Sequence, residues 1–222
     1  MLAYLYPLIR FIIGSLVLLI VFFLGCRIRQ HFLRQTYTKK YGKNEKLLTF
    51  IHPNCFDFGG GEKVLWMIID SITKLEANSL NFTYRINIIS THLQRNALQE
   101  LFDIDNPISK LGSHKDLLKK LNERFSIKLE ICSDLIKAID LVEIQSTRFF
   151  KPSPFLTMLF QIVFQMLFAL EILMKTYVGE VVIDTTGLPF SYAILSAFGN
   201  IGKLSAYVHY PFISEDMVSD IR

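Results

Sequence analysis

The residues best suited to chemistry fall in three short phrases. The first, HPNCFDFGGGE over 52–62, sets His52 ahead of Pro53 and then Gly59, Gly60, Gly61 and Glu62 ahead of a helix-like run. Glycines let backbone approach a ligand closely, and a helix starting there aims N–H groups and a partial positive charge at it. That suits a phosphate, or a sugar hydroxyl beside one. No G-K-[ST] follows and the spacing is not G-x-G-x-x-G, so neither a P-loop nor a dinucleotide fingerprint is present. The same glycines also fit a tight turn, with Glu62 favouring the helix start.

The second phrase is Asp184-Thr185-Thr186-Gly187, which closes the apolar run VVID. In an open parallel sheet the carboxyl ends of strands border the ligand crevice, so Asp184 is placed to bind a ligand or to hold a neighbouring loop. As an N-cap or turn former it needs no ligand. The third phrase, His209-Tyr210-Pro211, ends another strand-like run on the same rim. His209 could hydrogen-bond a substrate or transfer a proton there, and His52 has the same standing. Either histidine also fits a structural role at a strand end.

The elements that must position these residues alternate. LLTFIH (47–52) reads as a buried strand stopped by Pro53. Val64, Leu65, Ile68, Ile69 and Ile72 are spaced as one helix face, which also makes Trp66 a core residue. INIIST (86–91) is a second strand, 114–124 a charged surface helix and SIKLEIC (126–132) a third strand. VVID and SAYVH (205–209) bracket a helix over 190–198. Strands alternating with helices predict an α/β fold, a Rossmann-like parallel sheet covered on both faces.

Two apolar segments stand apart. Residues 11–26 carry no charge, and 4–26 reach the length of a bilayer span if Arg10 snorkels or faces protein. The apolar start and the lack of a small-x-small site argue against a cleaved signal peptide. Arg27, Arg29, Arg34, Lys39, Lys40, Lys43 and Lys46 follow against one acid, Glu45. By the positive-inside rule the amino terminus is lumenal and the body cytosolic, a topology that glycosylation at the sequon Asn81-Phe82-Thr83 would reverse. The second segment, 155–174, could also span a bilayer. Thr157, Gln161 and Gln165 form a polar stripe with Glu171 beside it, which fits a helix lying in the interface or a buried crossover helix better than a lipid-surrounded span.

Composition bounds the function. With 51% hydrophobic residues and mean hydropathy +0.34, disorder is excluded. A net charge of +4 from 24 basic and 20 acidic residues is too mild and too dispersed for nucleic acid. Three widely spaced cysteines form no C-x-x-C pair and no metal-ligand grouping, consistent with a reducing compartment.

Taken together, HPNCFDFGGGEKVLW, VVIDTTGLPF and YVHYPFISEDM resemble the amino-terminal half of the eukaryotic α-1,2-mannosyltransferases that extend the dolichyl-pyrophosphate-linked oligosaccharide. The resemblance runs from His52 to the end, with Leu141-Val142-Glu143 and the second apolar segment in corresponding places. It implies a GT-B glycosyltransferase on the cytosolic face of the endoplasmic reticulum, taking mannose from GDP-mannose with retention and without metal or other cofactor. Gly59, Gly60, Gly61 and Glu62 would lie near sugar and phosphates, with His52 and Asp184 on the substrate-binding rim and His209 at the reacting centre. No carboxylate stands out as a nucleophile, so departure and attack on one face of the sugar is the expected route.

Departures are Phe58 for the first of four glycines, with Asn54, Phe56 and Asp57 for a tyrosine and small or amide residues. The resemblance divides the chain into an anchor (1–26), a basic juxtamembrane linker (27–46) and a Rossmann-like domain (47–222) with 155–174 inserted. It places the nucleotide-sugar domain outside these 222 residues, where a second chain could carry it. The alternative is a non-catalytic anchored module that binds the lipid-linked sugar or a partner chain.

Overall fold

A computed structural model describes residues 2–42, 45–55, 59–78, 83–91, 119, 121–123, 125, 139–146, 157–199 and 201–207. In chain order these form α1 (Leu2–Tyr41), β1 (Glu45–Ile51), α2 (Gly60–Asn78), β2 (Thr83–Thr91) and β3 (Ile139–Ile144). They continue as α3 (Thr157–Lys175), β4 (Val181–Asp184), α4 (Pro189–Phe198) and β5 (Lys203–Ala206).

The described strands form one parallel sheet in the order β3-β2-β1-β4-β5. The chain enters at the centre, builds outward through β2 and β3, then returns to the other side of β1 for β4 and β5. Crossovers therefore leave β1 and β4 in opposite directions, which opens a crevice at their carboxyl ends.

Successive strand residues face opposite ways, and both faces are covered. Leu48, Phe50, Ile86 and Ile88 pack against Leu65, Trp66 and Ile69 of α2. Ile51, Ile89, Ile144 and Val182 pack on the other face against Phe168, Ile172 and Leu173 of α3 and Leu195 of α4. The parallel sheet and Rossmann-like class follow the sequence reading, and Trp66 is fully buried.

Boundaries differ from the sequence reading in places. β1 starts two residues earlier than expected, and His52 is the first residue beyond it. β5 runs from Lys203 to Ala206, starting two residues earlier than expected, and His209 lies outside the described residues, as does the strand expected over 126–132. The strand that pairs with β2 on the side away from β1 is Ile139–Ile144, which the sequence reading passed over because Asp140 and Glu143 interrupt its apolar residues. The described residues of the expected 114–124 helix are helical, but Leu121 and Phe125 are buried in the α2-side core rather than on a wholly charged surface.

α3 is the crossover between β3 and β4 and is held to the domain by polar side chains as well as apolar ones. Gln165 accepts the Phe190 N–H in the first turn of α4 at 3.0 Å, supplying a cap that Leu188 does not. Glu171 accepts the Gln145 and Ser146 N–H groups where β3 ends, and pairs with Lys175 at 2.7 Å. Burial works to raise the Glu171 pKa, but these hydrogen bonds outweigh it and hold the carboxyl at about 2. The outer face of α3 stays apolar and exposed at Met158, Leu159, Phe160, Val163, Met166 and Leu167.

α1 is one continuous helix of 40 residues, roughly 60 Å long. Its first part exposes apolar side chains such as Phe11, Leu16, Leu18 and Val21, and is long and apolar enough to cross a bilayer. Residues 27–41, within the segment read as a linker, continue the same helix and dock on the domain. The Gln30 side chain is 2% exposed and donates to Leu173 O and Thr176 O, while Arg29 donates to Met174 O. These are carbonyls at the end of α3 that lack partners within the helix, and a cation there also suits the helix dipole. Phe23 against Phe198 and Tyr37 against Tyr177 fill the seam above and below.

Replacing Gln30 by Leu keeps the volume but strands buried carbonyls, so Gln30→Leu should lower unfolding stability by about 1–3 kcal/mol. The same change at exposed Gln35 should stay within about 0.5 kcal/mol, read by denaturant titration in micelles. Because the folded Glu171 pKa lies below its unfolded value of about 4.3, its contribution is present above that value and lost as pH falls towards about 2. Glu171→Gln should flatten the acid limb of a stability–pH curve in that window.

Candidate functional site

β1 and β4 end side by side, with Ile51 opposite Asp184, and the residues just beyond them define the crevice. His52 extends the ladder by one bond, its N–H donating to Ile89 O at 3.1 Å, and its side chain is 3% exposed. The ring sits between two side chains. Nδ1 is 2.5 Å from Thr185 Oγ1, and Nε2 is 3.5 Å from Glu62 Oε1. Thr185 spans the strand ends, donating its hydroxyl to Ile51 O at 3.1 Å and its N–H to the same oxygen at 3.2 Å.

Thr185 Oγ1 thus lies within hydrogen-bond reach of both Ile51 O and His52 Nδ1, and the direction of the shorter contact follows the imidazole tautomer. With the ring proton on Nε2, Nδ1 accepts the Thr185 hydroxyl and Nε2–H faces the Glu62 carboxylate. The His52 ring bridges Thr185 and Glu62 at the mouth of the crevice, beside the start of α2.

Gly59, Gly60, Gly61 and Glu62 form the first turn of α2 and its approach. Gly59 O accepts the Lys63 N–H, and Gly59 and Gly60 are exposed. Gly61 lies against the imidazole, where an added Cβ would stand 3.7 Å from His52 Cε1. First-turn N–H groups lack acceptors within the helix and point outward with the positive end of the dipole. The His52–Glu62 pair and a glycine-lined helix start therefore adjoin, an arrangement suited to an anionic or hydroxyl-bearing ligand.

Asp184 is fully buried and is spent on its own loop. Oδ1 accepts from Thr186 N, Thr186 Oγ1 and Gly187 N, and Oδ2 accepts from Leu188 N and Tyr192 Oη. Gly187 supplies the left-handed turn, with φ +78°, that brings those donors round. Burial first, then the bond to Asp184, pushes the Tyr192 phenol well above its ordinary pKa, so it stays a donor. Asp184 thereby fixes the rim on which Thr185 sits.

The structure brings together His52, Glu62, Gly59, Gly61 and the Asp184 loop, and leaves His209 and Phe58 outside the described residues. Thr185 and Tyr192 were not singled out from sequence. Thr185 adjoins Asp184 and could have been read as the residue facing the neighbouring strand end. Tyr192 lies in the first turn of α4, where a long side chain turns back towards the helix start.

Residues 45–222 match the family described as ALG11 mannosyltransferase N-terminus. Similar curated proteins are named GDP-Man:Man(3)GlcNAc(2)-PP-Dol alpha-1,2-mannosyltransferase. The Kluyveromyces lactis protein is 31% identical over 191 residues, covering 85% of this chain and 29% of its own. The mouse protein is 29% identical, covering 88% and 35%, and the human protein 28%, covering 83% and 32%. The chain therefore spans about a third of the length of these relatives. No solved structure matches it.

Asp184→Asn replaces one acceptor oxygen by a donor facing other donors, and should destabilise the fold by about 1.5–3 kcal/mol. Tyr192→Phe removes one bond and should cost about 1 kcal/mol. Urea titration checks the order of the two.

Proposed function

The chain belongs to the family of ALG11 mannosyltransferase N-termini, and from that premise we propose that it is the acceptor-side half of an α-1,2-mannosyltransferase of GT-B architecture. Its substrate is the dolichyl-pyrophosphate-linked oligosaccharide, and the donor is GDP-mannose held by a domain supplied beyond these residues or on a second chain. The observation that carries this reading is the meeting of His52, Glu62 and the α2 glycines at the β1–β4 crevice, within the stretch that matches the family.

Membrane anchorage fits the substrate. Its polyprenyl tail stays in the bilayer, so an enzyme tethered by α1 meets it in two dimensions. The exposed apolar faces of α1 and α3 support one spanning helix and one helix resting on the lipid surface. The proposed location is the endoplasmic reticulum membrane, with a lumenal amino terminus and the sheet in the cytosol.

Within the transfer, this half orients the acceptor and holds charge. The α2 amides, with the His52 ring beside them, would donate to negative charge near the reacting centre, and such preorganised groups stabilise charge at little reorganisation cost. Asp184 keeps Thr185 and hence His52 in place. His209 remains the proposed catalytic residue at the reacting centre. The second reading is a non-catalytic anchored module that binds the lipid-linked sugar or a partner chain.

Reconstituting the chain with the carboxyl-terminal part of a relative should give mannose transfer from GDP-mannose to a lipid-linked acceptor, measured with labelled donor. His52→Ala should lower that rate about 100-fold, and Glu62→Gln should lower it as well. Acceptor binding without transfer in the reconstituted pair would favour the non-catalytic module, and loss of both would refute a sugar-binding role.

A further inference from the structure

Three hollows lie at the amino-terminal edge of the sheet, at the opposite end of the strands from the crevice that holds His52. Cavities of about 390, 580 and 230 Å³ adjoin there, and Arg34 lines all three. Together they make a groove along α1 just past the apolar span. Arg27, Arg34, Lys39 and Lys46 line it, against Glu45 and Glu180 at its far end.

The helix itself explains why this face opens into a groove. Residues 30, 37 and 41 fall on one stripe, and that stripe docks: Gln30 caps α3, Tyr37 packs on Tyr177, and Tyr41 stacks under the Arg85 guanidinium at 3.7 Å. Residues 27, 31, 34 and 38 form the next stripe round, and with Gln30 fixed they cannot rotate away from the groove. Gly42, at φ +96°, ends the helix with its N–H on Thr38 O, and nothing lies within 4 Å of where its Cβ would stand.

Depth identifies the occupant. The uncharged run ends at Cys26, and Arg27 and Arg34 are roughly 10 Å apart along the helix, comparable with the headgroup layer below the hydrocarbon. We propose that this groove binds the headgroup of an anionic phospholipid from the leaflet that α1 enters, at a site separate from the crevice around His52. Arg34 pairs with Glu180 at 3.4 Å, with both side chains about half exposed. An ion pair of that kind contributes little and gives way to a phosphate. The proposal rests on α1 spanning a membrane, not on sugar transfer.

The test uses the full chain in phosphatidylcholine nanodiscs carrying a minor fraction of phosphatidylinositol, with retained lipid counted by native mass spectrometry. Phosphatidylinositol should be enriched over phosphatidylcholine. Arg34→Gln should reduce the enrichment about fivefold, and Arg34→Gln with Lys46→Gln about thirtyfold. Arg34→Lys should keep it, as should Lys119→Gln, an equal charge change away from α1. No enrichment in the unaltered chain, or none lost in the double variant, overturns the site. Displacement by inorganic phosphate at matched ionic strength overturns the lipid assignment in favour of a free anion. Flotation with vesicles is scored separately, so failed anchorage and a failed headgroup site are distinguishable.

Discussion

The contact on which the site depends is the short hydrogen bond between the His52 ring and the Thr185 hydroxyl. It joins the residue after β1 to the residue after β4, where the crossovers of the described sheet leave in opposite directions. An imidazole that is 3% exposed keeps polar nitrogens out of water only if both are engaged, and Thr185 and Glu62 engage them. The bond thereby sets the ring plane, the ring sets where Glu62 lies, and Glu62 fixes the start of α2. Five donors onto Asp184 keep Thr185 from drifting, so the rigidity of the crevice comes from a loop tied to a buried carboxylate.

A second polar device works at the opposite edge. Gln30 and Arg29 satisfy the carbonyls at the end of α3, which makes α1 part of the domain rather than a tether hung from it. Side-chain hydrogen bonds through this seam thus join the long apolar helix to the sheet.

Much of this was legible in the sequence. The strands VVID and INIIST, the amphipathic face of α2 and the glycine turn announced themselves by period and by residue type. Gln165 and Glu171 were visible as polar exceptions on an apolar helix, and both prove to be ties to the domain. What stayed hidden was relational. β3 carries acids because it lies at the end of the described sheet, where one side needs no apolar cover. Gln30 looked like one polar residue among many in a basic stretch, and only the end of α3, some 140 residues on, gives it a role. Thr185 and Tyr192 matter through partners that spacing alone does not name.

The most direct test of the account is the ¹⁵N spectrum of the histidine rings in the micelle-bound chain, recorded before and after adding a lipid-linked oligosaccharide acceptor. The His52 Nδ1 signal should report a strong hydrogen bond and should shift as the acceptor saturates. An Nδ1 in no hydrogen bond, or a His52 signal that does not move at saturation, would contradict the placement of the sugar site at this strand edge.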